Sequence, residues 1–213
     1  VRERAATADR VAPRDGILFV TPYFRPHLGG VELYVEQLAE ALHARHGVRP
    51  VVATTSPQGP SSGAAPRDFP FVVRHLRAPA RLFNTPLGLG WVRALRRIIH
   101  EERISLVNAH APVPVLADLA ARASAGLPFV LTYHTGPIDR EVRARALLGK
   151  VYERLVLPVT ARRADGVICA SAHAASSFPR AFAAKAIVIP PAVDLETFSP
   201  GPGPPPDPRR LLF

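Results

Sequence analysis

Apolar residues along the chain gather in short runs, separated by longer stretches with helical spacing. The runs "GILFVT", "RPVVATT", "FPFVVRHL", "ISLVNAH", "PFVLTYH", "DGVICAS" and "AIVIPP" have strand length and are rich in Val, Ile, Leu or Phe. They lack polar/apolar alternation, the pattern of strands buried on both faces of a sheet. Between them, the spacing predicts helices over Val31–His46, Leu87–Glu102, Val113–Ala125, Arg140–Arg163 and His173–Phe182. Strands that alternate with helices imply right-handed crossovers and a parallel sheet with helices on both faces. The expected fold is therefore α/β, a Rossmann-like doubly wound parallel sheet.

Two stretches break the rhythm. "SPQGPSSGAAPRD" (Ser56–Asp68) is rich in Pro, Gly and Ser and predicts a mobile surface loop. "SPGPGPPPDP" (Ser199–Pro208) excludes helix and central strand and reads as an extended linker. The expected division is a flexible amino-terminal segment over 1–15, the Rossmann-like domain over 16–198 and a linker over 199–209. Residues 210–213 then read as the start of a second domain at which the chain is cut.

Composition narrows the class. A chain of 213 residues, 47% hydrophobic and 21% charged, suits one sizeable soluble α/β domain. No window offers the roughly 18 apolar residues of a transmembrane helix, and "VRERAATADR" lacks the apolar core of a secretory signal. Cys169 is alone, so no internal disulfide is possible, which fits a reducing cytoplasm. Within "DGVICAS" it reads as a buried strand residue with no reactive role. The net charge of +10 is carried almost entirely by arginine, since Lys150 and Lys185 are the only lysines. Such a surface suits nucleic acid, an anionic membrane or a phosphorylated substrate, while arginine-biased codon usage explains it equally well. No aromatic-rich basic stripe or Cys/His finger spacing accompanies the charge, so nucleic acid is the weakest partner.

The first strand leads into "TPYFRPHLGGVELYVEQL", where Val31, Tyr34, Val35, Leu38 and Leu42 mark the core face of a helix. Gly29 and Gly30 then lie at its start, where amide N–H groups lack intrahelical partners and the dipole is positive. That arrangement suits an anion, and a backbone that merely needs positive φ explains the glycines as well. Glu32 in the first turn complements the dipole. His110 closes the strand of "VNAHAPVPVLADL", and His134 closes that of "LTYHTGPID", followed by Thr135 and Gly136. Both imidazoles fall at the carboxyl edge of the sheet, where open α/β folds bind ligands. No third ligand at suitable spacing joins them, so no metal site is expected. Ser171 reads as the cap of the next helix, and "CASAH" lacks the glycines of a nucleophile elbow.

Taken together, "LFVTPYFRPHLGGVELYVEQLAEAL", "LVNAHAPVPVLADLAARASAGLPFVLTYHT", "ADGVICASAHAASSF" and "IVIPPAVDLETFSP" resemble the amino-terminal half of a family 4 glycosyltransferase of the GT-B fold. The resemblance covers about residues 16–213 and keeps the family's order and spacing. It implies transfer of a sugar from a nucleotide diphosphate donor to an acceptor hydroxyl, with retention and without a metal or other cofactor.

The resemblance carries over residue by residue. Gly29 and Gly30 match the glycine loop that approaches the donor diphosphate and shapes the acceptor cleft. His134 matches the histidine at the reaction centre, with Thr135 beside it, and His110 a less uniformly placed one. Asp194, in the "PAVD" turn, reads as structural, and Ala192 stands where the family commonly has glycine. The family's donor-binding arginine and lysine and its paired glutamates belong to the second domain, so this chain alone is expected to be inactive.

The acceptor, a sugar, lipid or small molecule, is expected at Tyr23, Arg25, His27 and the Arg67–Arg81 segment. Phe69, Phe71, Leu76, Leu82 and Phe83 are interleaved there with Arg67, Arg74, Arg77 and Arg81. This suits docking on an anionic membrane, hence a cytoplasmic protein with a peripheral place on the inner face of the membrane; an edge strand with a solvated loop is the alternative. Two other functions keep the same fold: a non-catalytic binding or scaffold domain, and a nicotinamide-dependent oxidoreductase, which the missing GxGxxG disfavours.

Overall fold

The computed structural model describes residues 16–56, 68–134 and 143–193. Parallel strands β1 (Gly16–Val20), β2 (Arg49–Ser56) and β3 (Val72–Arg77) occupy one half of a seven-stranded sheet. The other half holds β6 (Ile104–Ala111), β7 (Phe129–Tyr133), β8 (Gly166–Cys169) and β9 (Ala186–Val188). The order is β3-β2-β1-β6-β7-β8-β9, so the chain reverses its direction of travel between β1 and β6. Every run expected to be a strand supplies one of these seven. The remaining two, β4 (Ala80–Leu82) and β5 (Thr85–Leu87), pair as a separate antiparallel hairpin.

Helices cover both faces. On one face α1 (Gly30–His46) packs Val35 and Ala39 against Phe19, Val52, Phe24 and Phe71. On the other lie α2 (Trp91–Glu101), α3 (Leu116–Ala123), α5 (Leu157–Arg163) and α6 (Ala172–Ser177), around Trp91, Leu95, Leu116, Leu131, Leu157 and Phe178. Most residues in the central strands are enclosed because helices press on both sides, which is why their sequence shows no alternation.

Three expected helices are altered by local chemistry. The helix expected from Leu87 begins only at Trp91, because Gly90 adopts φ 74° and Gly88 lies against the Arg77 carbonyl and the Trp91 ring. The long helix is a continuous run of α4 (Arg143–Val151), a π-helical turn (Tyr152–Val156) and α5. The widened turn precedes Pro158, whose ring in a regular helix would press on the Arg154 carbonyl. The last helix divides at Pro179 into α6 and a 3-10 turn over Arg180–Lys185. Ser171 caps α6 as expected, its Oγ accepting from Ala174 N–H at 3.0 Å. Cys169 is buried in β8, and burial pushes its thiol pKa up. The segments 1–15 and 199–213, most of the 56–68 loop, Arg67, Thr135, Gly136 and Asp194 lie outside the described residues.

Candidate functional site

The loop from Thr21 to Gly29 leaves the carboxyl end of β1 and is fastened to the helix that follows it. Arg25 forks onto the buried Glu36, its Nε donating to one carboxylate oxygen at 2.5 Å and its Nη2 to the other at 2.9 Å. His27 Nδ1 lies 3.0 Å from Oε1 of Glu32, which is also buried. Both carboxylates sit on α1, one turn apart, so a single helix face holds the loop's two basic side chains.

Gly29 caps α1 with φ −152° and ψ 178°, an extended conformation open to any residue. A requirement for positive φ therefore does not explain the glycine pair. Space explains Gly29 alone: a Cβ there would meet the Glu32 carboxylate at 2.5 Å, whereas one on Gly30 would meet nothing within 4 Å, so packing within the chain does not call for the second glycine. Gly29 supplies no side-chain cap to the helix start, and the first amide N–H groups there have no helical acceptors.

Two residue pairs link β6 to β7. His110 Nδ1 lies 2.8 Å from His134 Nε2, and the rings stack with centroids 5.1 Å apart. Two residues earlier on each strand, hence on the same face, Asn108 and Thr132 exchange hydrogen bonds: the amide donates to Oγ1 at 3.0 Å, and the hydroxyl donates to Oδ1 at 3.2 Å. Tyr34 of α1 meets both imidazoles edge-on, at 5.0 Å from His134 and 5.9 Å from His110. Burial pushes the pKa of His134 down to about 4. His110 is fully enclosed, and burial, aided by the neighbouring His134, holds its pKa well below the usual histidine range. Both rings are thus neutral at pH 7.

A cleft of about 290 Å³ opens where the strand order reverses, the place where doubly wound sheets bind ligands. Thr21, Gly30, Glu32 and His110 form its floor and sides, continued by Pro112 and Val113 after β6. The opposite wall comes from the hairpin, through Arg81 and Asn84. Tyr23 bridges to that wall: its hydroxyl donates to the Asn84 carbonyl at 2.5 Å, and Arg81 lies 5.1 Å over its ring.

The structure therefore gathers Tyr23, His27, Gly30 and His110 at one cleft. His134 joins it through His110 rather than lining it, and Gly29 stands one residue outside. Arg25 turns away to Glu36 and is a fastening of the loop. The hairpin, Asn84 and the position of Glu32 on the cleft wall are not expected from the sequence. Of the interleaved segment, Phe71 and Leu76 are buried, while Leu82 and Phe83 remain half exposed. Arg74 is paired with Glu102. Among the described residues no three His, Cys, Asp or Glu side chains gather as a metal site.

The fold has relatives. Glycosyltransferase from Rickettsia africae superposes with a TM-score of 0.57 at 18% identity, over 90% of this chain and 47% of that one. Sucrose-phosphate synthase from Thermosynechococcus elongatus superposes with a TM-score of 0.61 at 20% identity, over 88% and 50%. At such identities the likeness is one of fold. In sequence, the chain is 26% identical to one component of the phosphatidylinositol N-acetylglucosaminyltransferase of Homo sapiens, over 93% of this chain and 43% of that protein. The chain thus spans about half the length of the proteins it matches. The profile of Glycosyltransferase Family 4 matches residues 28–197, from the loop before Gly29 to beyond the last described strand. With its half of a GT-B fold, a glycine-lined helix start and strand-end histidines in place, this chain belongs to Glycosyltransferase Family 4.

Proposed function

We propose that the chain forms the acceptor-side half of a retaining glycosyltransferase, which moves a sugar from a nucleotide diphosphate to an acceptor hydroxyl. The observation that carries this reading is the meeting, at the point of strand reversal, of the uncapped start of α1 with the His110–His134 pair. When the anomeric carbon–oxygen bond breaks, its electron pair goes to the diphosphate while the sugar becomes oxocarbenium-like. Amide N–H groups at the start of α1 donate toward that growing charge without reorienting.

Glu32 divides the cleft by charge. Its carboxylate would repel a phosphate, and suits a neutral acceptor hydroxyl on the side of His27 and Tyr23. Neutral His134, which reaches the cleft through His110, is suited to hold that imidazole toward a sugar hydroxyl. In front-face retention the departing phosphate oxygen takes the acceptor proton, so His134 is not assigned as a base, and the scheme requires no metal.

A second Rossmann domain supplies the donor-binding cations; the matched proteins are about twice this chain's length. Alone, the chain holds half a cleft and turns over negligibly. A lipid acceptor at the cytoplasmic face of a membrane is favoured by the human relative, whose name specifies phosphatidylinositol. It is favoured also by exposed Leu28, Leu82 and Phe83, which flank the cleft residues His27, Arg81 and Asn84.

The test joins this chain to a family second domain and supplies labelled nucleotide diphosphate N-acetylglucosamine with phosphatidylinositol or with a soluble sugar. Transfer to the lipid with retained anomeric configuration is expected. Inverted product, or no transfer to any acceptor despite a folded protein, would refute the reading.

A further inference from the structure

The helical run over residues 143–163 buries Tyr152, Leu157, Thr160 and Ala161 toward the sheet and α3. Its opposite side is apolar too. Leu147, Val151, Leu155 and Val159, each four residues from the next, are 64, 44, 64 and 65% exposed, and Leu148 and Val156 widen the stripe. A contiguous apolar surface of this kind marks a contact site rather than ordinary scatter.

Charge identifies the occupant. Exposed Lys150, Arg154 and Arg162 flank the stripe on the same run. The adjoining helices of that layer add Arg122 from α3 and Arg93 and Arg96 from α2. The acids of the layer are largely engaged. Asp118 receives hydrogen bonds from Tyr152 and Thr160, and Glu101 pairs with Arg97 at 3.7 Å. The run itself thus sets Lys150, Arg154 and Arg162 beside the apolar stripe against one carboxylate, Glu153, with further arginines on the neighbouring helices. No aromatic ring lies in the stripe, as base stacking on nucleic acid would need.

We propose that the outer face of residues 147–162 is a membrane-docking surface that lies in the headgroup region of an anionic bilayer. The apolar side chains enter the acyl boundary, and Lys150, Arg154 and Arg162 remain among the lipid phosphates. The run begins on the cleft side, after the carboxyl end of β7, and descends the sheet. Docking along it would bring the cleft side-on to the bilayer. The surface is separate from the cleft, and its test needs neither sugar donor nor acceptor.

The test is co-sedimentation of the chain with vesicles of phosphatidylglycerol and phosphatidylcholine in equal parts, and with pure phosphatidylcholine. Binding is expected to the anionic vesicles and to weaken with salt. Each substitution of Lys150 or Arg154 by Gln should weaken it by roughly fivefold. L155E/V159E should weaken it by at least tenfold or so, with an unchanged circular dichroism spectrum. Wild-type-like binding by folded L155E/V159E would overturn the proposal. So would absence of vesicle binding, including the case in which the chain dimerises in light scattering and L155E/V159E makes it monomeric, which would give the face to a second copy. Loss of sugar transfer with vesicle binding intact would count against the enzymatic reading alone.

Discussion

His110 Nδ1 and His134 Nε2 lie 2.8 Å apart, and one proton serves both nitrogens. Burial keeps both rings neutral. The remaining nitrogen of His110, Nε2, has no hydrogen-bond partner among the described residues. A buried N–H without an acceptor is rarer than an acceptor without a donor. His110 is therefore the donor, and His134 carries its proton on Nδ1. Ring nitrogen shifts in a 15N-labelled sample should show opposite Nδ1/Nε2 patterns to those of an Nε2–H tautomer at His134. Finding Nε2–H at His134 would reverse the assignment.

In the chain joined to a family second domain, His134→Ala is expected to lower kcat by about 10²-fold or more. Sugar nucleotide binding should change far less. Steady-state kinetics with varied donor separates the two; unchanged kcat would remove His134 from the reaction centre.

Acid should loosen the fold through the same pair. The pKa of His134 is depressed from 6.5 to about 4, so between those values the unfolded chain binds more protons. Its contribution, on the order of 3 kcal/mol, is complete above pH 6.5 and is lost as pH falls toward 4. Urea melts across that window should fall more steeply for the wild type than for His134→Gln. Parallel slopes would contradict the burial argument.

Gly30→Ala separates stability from binding. The new methyl meets nothing within 4 Å, and alanine is favoured over glycine within a helix by up to about 1 kcal/mol. Stability should hold or rise, while sugar nucleotide use by the joined enzyme falls because the methyl occupies the approach to the amides. Equal donor KM in the two proteins would show that no ligand comes close there.

Asp118 is a fastening between α3 and the long helical run. It accepts the Val115 N–H at 2.9 Å, the Tyr152 hydroxyl at 3.3 Å and the Thr160 hydroxyl at 2.5 Å. Asp118→Ala orphans donors in a largely enclosed place and should cost about 3 kcal/mol. Asp118→Asn, which keeps an acceptor, should cost less. Denaturant midpoints of the two variants decide the order.

Much of this architecture is legible in the sequence because buried parallel strands and amphipathic helices have distinct periods. The seven expected runs each become a strand, and the Gly29–Gly30 and His110–His134 positions fall at sheet and helix ends as spacing requires. The hairpin is not legible. Its turn is made by Phe83 at φ 51° with Asn84, so the usual glycine signal is missing. Arg25 also misleads, since an arginine in a loop looks like a ligand-binding group until its buried carboxylate partner is located. Glu32 reads from sequence only as a dipole complement, because its place on the cleft wall depends on a loop fold that no periodicity encodes.

The β4–β5 hairpin stands apart from the seven-stranded sheet yet supplies one wall of the cleft. Changes in Leu82, Phe83 or Asn84 can reshape what the cleft admits while the strand register beneath Gly30 and His110 stays fixed. The scaffold and the selector are thus built from different parts of the chain, and one can diversify over descent without the other being refolded.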